Sequence, residues 1–382
     1  MRIGIIYLGR RGGGVSCNFE LATHLAKREA VLAVISKYVE NLALWRNSGL
    51  ELLTTTTYRS TPGAVLAWFN HLKLHRLAKQ IRAWQPDVLV YPLFYTLNPF
   101  LQMHLAGIPS VVAVHDPQPH PGLRNRVYRL IENLSIRQAT RCYVLSETFR
   151  IDLQRRGVRP EQIDHVPHAD LSYYRRFAPQ TATVTTQKAS GPPVLLFFGR
   201  ITAYKGLEVL LQAFRQIRLG DPHHPPRPAR LLIVGDGDLR PYQSLLEDLP
   251  DVEIVNRWID EAEIYTFFER ARLLVVPYTS ASQSGVIAIA AGFGLPVVAT
   301  HTGGIPEQIQ HDVTGILVSP GSAQELAEVI DGLLDDPARA RALGENLRNE
   351  VAQHRNWDRT ADLVGEACLK AIDDHTKNYS RR

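Results

Sequence analysis

The chain has 382 residues, 45% hydrophobic and 21% charged, the balance of a soluble globular protein with room for about two or three domains. Three widely spaced cysteines, Cys17, Cys142 and Cys368, argue against a disulfide framework, and no run of about 20 apolar residues offers a membrane span. The net charge of +5 is uneven: residues 1–180 carry 23 Lys+Arg against 12 Asp+Glu, and the remainder 20 against 26. A basic first half suits nucleic acid, an anionic membrane surface or a phosphorylated substrate, although a solvated basic face accounts for it equally.

The opening MRIGIIYLGRRGGG has too short an apolar run for a signal peptide, so a cytoplasmic location is expected. IGIIYL, AVLAVIS, DVLVYP, PSVVAVHD and RCYVLS then read as buried strands. FELATHLAKRE and NRVYRLIENLSIRQA, between them, have helical spacing. Near-continuous apolar strands alternating with helices predict a parallel sheet covered on both faces. The Thr/Gln/Ser/Gly/Pro-rich TATVTTQKASGPP interrupts the rhythm and reads as a linker.

VLLFFGR, ARLLIVGDG, VEIVN, ARLLVVPY, PVVAT and TGILVSP restart the strands, with GLEVLLQAFRQI, EAEIYTFFERA, GVIAIAAGF and AQELAEVIDGLLDD as helices. The predicted architecture is α/β, two tandem doubly wound Rossmann-like domains with an interdomain cleft. The expected boundaries are 1–175 for the first domain, 176–192 for the linker, 193–355 for the second domain, and 356–382 for a C-terminal helix returning to the first. Ligands bind such sheets beyond the carboxyl ends of the strands, which makes the cleft the natural site.

FFGRITAYKG follows a strand and opens a helix. Gly199 permits an unusual backbone turn, and Arg200 and Lys205 supply a forked and a point cation suited to a diphosphate. Further on, SASQSG precedes GVIAIAAGF. Ser282 or Ser284 can cap that helix, and the Ser284 and Gly285 amides at its N-terminus suit an anion. Gly12, Gly13 and Gly14 follow the first strand and allow close backbone approach, without the full G-x-G-x-x-G spacing. His115 and Asp116 follow the strand of PSVVAV. His120 and the His223–His224 pair have no matching ligand set, so no metal is expected.

FFGRITAYKGLEVLLQAF, LLIVGDGDL, ARLLVVPY, GFGLPVVATHTGGIPEQI and TGILVSP, in this order and spacing, resemble the family 4 glycosyltransferases of the GT-B fold. The resemblance spans nearly the whole chain. It implies a retaining transferase that uses a nucleoside-diphosphate sugar as co-substrate, with no cofactor and no required metal. It further implies that Arg200 and Lys205 hold the diphosphate, with His115 near the reacting centre. The nucleotide would lie against Gly235, Asp236 and Gly237 and against Arg257, Trp258 and Ile259, with Gln283, Ser284, Gly285 and Val286 completing the donor side. Gly12, Gly13, Gly14, His115 and Asp116 would form the acceptor side.

The chain departs from the family at one place. The usual E-x7-E glutamates fall on Ala281 and Ile289, or with a one-residue gap on Ser282 and Ala290, and SQSG stands in their region. Other groups must then grip the nucleotide, unless the donor differs or the site is degenerate. The expected reaction moves a sugar to a saccharide or lipid-linked acceptor in cell-surface polysaccharide or glycolipid synthesis. The alternatives are a sugar-nucleotide epimerase or hydrolase, or an inactive nucleotide-sugar-binding protein. Thr61–Trp84, a basic amphipathic stretch, reads either as a membrane-facing helix or as a core-packed helix with a solvated basic face. On the first reading the protein is peripheral at the inner membrane face. No nucleic-acid recognition motif is present.

Overall fold

In a computed structural model the described residues are 1–58, 63, 67–68, 70–117, 126–178, 191–220 and 225–380. They divide into two units. Ala169–Arg355 form one, and the other described residues, including the C-terminal segment from Asn356, form the other. His120, His223, His224 and most of the expected linker lie outside the described residues.

The first unit carries a parallel sheet of β1 (Arg2–Tyr7), β2 (Ala30–Ser36), β3 (Glu51–Thr55), β4 (Val88–Tyr91), β5 (Ser110–Val114), β6 (Arg141–Val144) and β7 (Ile163–His165). Their order is β3-β2-β1-β4-β5-β6-β7, so the winding reverses between β1 and β4. Its helices are α1 (Gly13–Leu25), α2 (Leu42–Arg46), α3 (His71–Ala83), α4 (Asn98–His104), α5 (Arg126–Gln138) and α6 (Arg150–Arg155). Ile6, Val34, Tyr91 and Val112 of the sheet share one core with Leu74, Leu77 and Ile81 of α3, Leu101 of α4 and Ile136 of α5. The apolar stripe of α3 is therefore spent on this core. That part of Thr61–Trp84 is a core-packed helix, while residues 61–62, 64–66 and 69 lie outside the description. No helix among the described residues is long and apolar enough to cross a membrane.

The C-terminal helix, Trp357–Ser380, packs in this unit against α1, β4, β5 and β6. Small, fully buried residues, Ala367, Cys368 and Ala371, allow the close approach. An ion network centred on the buried Arg141 secures it. Arg141 of β6 holds Asp164 at 2.8 Å and Asp374 at 2.7 Å, and Lys370 reaches Asp164 at 2.9 Å.

The second unit carries a parallel sheet of β8 (Val194–Phe198), β9 (Arg230–Val234), β10 (Val252–Val255), β11 (Leu273–Val276), β12 (Val297–Thr300) and β13 (Ile316–Val318). Their order is β10-β9-β8-β11-β12-β13, with the reversal between β8 and β11. Its helices are α7 (Leu207–Leu219), α8 (Gln243–Leu246), α9 (Glu261–Arg270), α10 (Gly285–Phe293), α11 (Ala323–Asp335) and α12 (Pro337–His354). Both units thus form the doubly wound layers that the alternating apolar runs imply.

The nearly all-apolar α10 is enclosed on several sides, which is what such a composition requires. A 3-10 turn, Ser172–Phe177, lies against it, and the Leu171 amide donates to the Ala288 carbonyl at 3.1 Å. A Cβ on Gly292 would sit 2.7 Å from the Ser172 Cα, and one on Gly344 of α12 would sit 2.2 Å from the Gly294 oxygen. Tyr173 and Tyr174 are buried here too. Residues 169–175, placed with the first domain by sequence, are for this reason built into the second unit, and the division falls after His168.

Candidate functional site

The reversal between β8 and β11 puts two strand ends side by side, and the candidate donor residues gather there. Gly199 ends β8 with φ +117°, a conformation that favours glycine. Its amide donates to the Val234 carbonyl at 2.9 Å, and Ile201 donates to Asp236 at 2.9 Å, so the loop after β8 is stitched to the loop after β9. A Cβ on Gly235 would meet the Gly199 oxygen at 2.0 Å, and one on Gly237 would meet the Ile201 oxygen at 2.3 Å. The Gly235–Asp236–Gly237 run is needed for this contact. Asn256, after β10, clamps Gly237 by accepting from its amide at 3.1 Å and donating to its carbonyl at 3.0 Å.

Ala203–Lys205 form a short 3-10 turn, and Gly206 starts α7 from the left-handed region at φ +69°. Its Cα faces the carbonyl of Pro277, just past β11, where a Cβ would sit 1.8 Å from the oxygen. This contact brings Lys205 to Tyr278. The ammonium donates to the Tyr278 hydroxyl at 2.5 Å and lies 3.9 Å from its ring centroid. Tyr278 is 2% exposed, so the lysine is held by a fixed partner. The point where a Gly199 Cβ would lie is 3.9 Å from the Lys205 Nζ and 3.8 Å from a Val286 methyl. Lys205, the Gly199 turn and the first turn of α10 therefore converge. Arg200 follows Gly199 and is exposed.

The N-terminus of α10 differs from the sequence expectation in one respect. The Ser284 amide does not face out. It donates to the Gln308 side-chain oxygen at 2.7 Å, while the Gln308 amide donates to the Ser284 carbonyl at 3.1 Å. Ser284 occupies the cap position without a side-chain capping bond, and its buried Oγ has no hydrogen-bond partner among the described residues. Gly285 and Val286 follow as the first helical residues, where amides have no intrahelical acceptor. An anion here would meet those two amides and the Ser284 hydroxyl. Ala281, Ser282, Ile289 and Ala290, where the family glutamates would fall, are all buried.

After β10, Arg257 is committed to Glu263 through two bonds of 2.9 and 2.6 Å and to the Trp258 carbonyl at 3.1 Å. Glu263 also completes the capping box of α9 with Asp260. The Arg257 guanidinium thus works within this turn. Trp258 is not the buried residue that its size suggests: it is 37% exposed, while Ile259 is 8% exposed. Gln283 is half-buried on the loop before α10.

In the first unit, Gly12 has φ +82° and begins α1. Its amide already has an anion, the Glu40 carboxylate at 3.2 Å. A Cβ on Gly14 would lie 2.7 Å from a Leu93 methyl and 3.0 Å from the Tyr7 hydroxyl; Gly13 joins them at the helix start. His115 follows β5 with Nδ1 3.4 Å from Asp116. Burial favours the neutral imidazole, but the Asp116 and Glu132 carboxylates outweigh it and raise the His115 pKa above its usual value. Glu132 on α5 is buried, which pushes its own pKa up despite a 2.7 Å bond from Arg156. Sequence reading missed Glu40 and Glu132, because neither stands in a motif or near its partner in the chain. Among the described residues no cluster of three or more His, Cys, Asp or Glu is arranged to hold a metal.

Two family models match the chain. Residues 12–169 match a glycosyl transferase 4-like domain, and residues 192–336 match glycosyl transferases group 1. The chain is 29% identical over 300 residues to the D-inositol 3-phosphate glycosyltransferase of Pseudarthrobacter chlorophenolicus, covering 74% of this chain and 66% of that protein. It is 25% identical over 264 residues to the alpha-D-kanosaminyltransferase of Streptomyces kanamyceticus, covering 65% and 67%. The alignments span about two thirds of the length of these relatives. Anabaena Alr3699/HepE, solved in complex with UDP and glucose, superposes with a TM-score of 0.73 at 18% identity, covering 97% of this chain and 100% of that one; the likeness is one of fold. With both models in chain order on two doubly wound units, the chain belongs to the family 4-like glycosyltransferases of the GT-B fold.

Proposed function

We propose that this protein transfers a sugar, with retention at the anomeric carbon, from a nucleoside-diphosphate sugar to a saccharide or lipid-linked acceptor in cell-surface polysaccharide or glycolipid synthesis. One observation carries the reading: Lys205, the Gly199 turn and the first turn of α10 converge on one point, and the buried hydroxyl of Ser284, which caps α10, has no partner among the described residues. A fixed ammonium, two unpaired helix amides and a spare hydroxyl suit a diphosphate.

Charge develops on the diphosphate as the sugar departs. Lys205, set by Tyr278, and the Gly285 and Val286 amides, set by the Gln308 clasp, would meet that charge without reorganising. Arg200 supplies a second cation. Trp258 offers an exposed ring for the base. The missing glutamates are not replaced by other acids at their positions. Their helix is enclosed by apolar packing, and the diphosphate grip takes a larger share of the binding.

In the first unit, Glu40 at the Gly12 amide repels phosphate and suits sugar hydroxyls. The loop Gly12–Gly14 is therefore assigned to acceptor hydroxyls, with His115 and Asp116 near the reacting carbon. The test is donor consumption with and without acceptor, with the product read by NMR at the anomeric proton. Consumption only with acceptor and an unchanged anomeric configuration support the proposal. Consumption without acceptor would replace it with a hydrolase or epimerase, and an inverted linkage would overturn retention.

A further inference from the structure

In the first unit the winding reverses between β1 and β4, where a ligand is expected, and aromatic side chains collect on the loop that follows β4. Leu93 of that loop stands against the glycine loop after β1: a Cβ on Gly14 would lie 2.7 Å from one of its methyls. The next two residues each hold a ring from another segment. Phe94, which is buried, meets Tyr128 of α5 edge to face, with ring centroids 5.0 Å apart and planes at 89°. Tyr95 stacks on Tyr58, which follows β3, at 5.1 Å and 15°. The Tyr58 hydroxyl shares a hydrogen bond of 2.7 Å with the Thr96 hydroxyl.

Tyr128 differs from its support. It is 46% exposed, a wide aromatic surface braced by a fixed ring. Desolvation by its neighbours, then the Glu132 and Asp116 carboxylates and Tyr58, push its phenol pKa up, so the ring lies within electrostatic reach of the His115–Asp116 pair after β5. The Asp116 side chain is itself exposed there. Core packing accounts for Phe94. It does not account for an aromatic ring held open to water beside a carboxylate.

We propose that Tyr128 is the platform for the acceptor: a pyranose ring lays its C–H face on the Tyr128 ring while its hydroxyls donate to Asp116. The inference rests on the reading of the protein as a glycosyltransferase and names its acceptor class, a neutral sugar ring, with or without a lipid attached. A pyranose has a face of C–H groups and a rim of hydroxyls. The face is apolar and faintly positive, which matches the negative face of an aromatic ring, and the rim donates to a carboxylate. A phosphorylated acceptor would instead call for paired cations, and neither the ring nor Asp116 supplies one.

Saturation-transfer NMR on the full chain tests it, with the methyl glycosides of glucose, galactose and mannose as probes and glucose 6-phosphate as the charged comparison. At least one methyl glycoside should bind the wild type. Tyr128→Ala should weaken that binding by about tenfold, and Tyr128→Phe, which keeps the ring, should stay within about threefold of wild type. Circular dichroism confirms that each variant is folded. Calorimetric titration with nucleoside diphosphates should give one affinity for all three chains, because Tyr128 belongs to the first unit. Glycoside binding that Tyr128→Ala leaves intact, binding of glucose 6-phosphate alone, or binding of no glycoside overturns the proposal. Glycoside binding that depends on Tyr128, in a wild type that binds no nucleoside diphosphate, would support the sugar platform and overturn the transferase reading.

Discussion

Replacing Gln308 with leucine removes the clasp that sets the start of α10. Gln308 is 6% exposed, and its two side-chain bonds, 2.7 and 3.1 Å, satisfy both the amide and the carbonyl of Ser284. Leucine has similar bulk and satisfies neither. Each stranded buried group costs about 1–3 kcal/mol, so the variant should lose about 2–6 kcal/mol. For a unit the size of Ala169–Arg355, 1 kcal/mol shifts the melting midpoint by about 2–4 °C, so its Tm should fall by at least about 4 °C in scanning calorimetry. Gln308→Glu separates stability from binding. It keeps an acceptor for the Ser284 amide but sets a carboxylate beside the helix N-terminus, where it competes with a diphosphate. Its affinity for nucleoside diphosphates should therefore fall by more than its stability. A Gln308→Leu midpoint within about 1 °C of wild type would refute the reasoning.

Gly206→Ala should destabilise the second unit by about 1–3 kcal/mol from the left-handed backbone alone, with the Pro277 collision in addition; a urea midpoint indistinguishable from wild type would contradict this. Asp164→Asn should cost about 3–5 kcal/mol, because it leaves the buried Arg141 short of a partner. Burial opposes the Asp164 charge, but bonds from Arg141 and Lys370 outweigh it and hold its pKa below the ordinary 3.8. A depressed folded pKa means that the stabilisation is complete above the unfolded value and is lost as pH falls through the folded one. The gap between wild type and Asp164→Asn should thus narrow below about pH 4 in urea melts, and a constant gap would count against the network.

Much of the fold was legible because buried parallel strands are continuous apolar runs. AVLAVIS is β2 residue for residue, and GVIAIAAGF is α10. The strands that escaped notice, β3 (ELLTT) and β7 (IDH), lie at the two edges of their sheet, where partial exposure and short length dilute the pattern. In the site, Gly199 could be singled out because a tight turn at a strand end demands glycine, Lys205 because a cation there suits a diphosphate, and the Gly235–Gly237 turn through the family resemblance. The partners that set them could not. Tyr278 holds Lys205 from 73 residues away, Gln308 holds Ser284 from 24, and Glu40 holds Gly12 from 28. Such pairs exist only once the strand order brings the ends together. The apolar character of α10 was visible, but its cause was not. The 3-10 turn Ser172–Phe177 and α12 enclose it, and neither carries a motif.

The central claim is that the second unit holds a nucleoside diphosphate through Lys205 and the start of α10 without the family's glutamates. Calorimetric titration of a panel of nucleoside diphosphates into the wild-type chain, Arg200→Ala and Lys205→Met tests it most directly. Micromolar binding of one base, weakened about 10–100-fold in Lys205→Met, is the predicted result. No binding by any of them to the folded wild type, or equal binding by wild type and Lys205→Met, would contradict it.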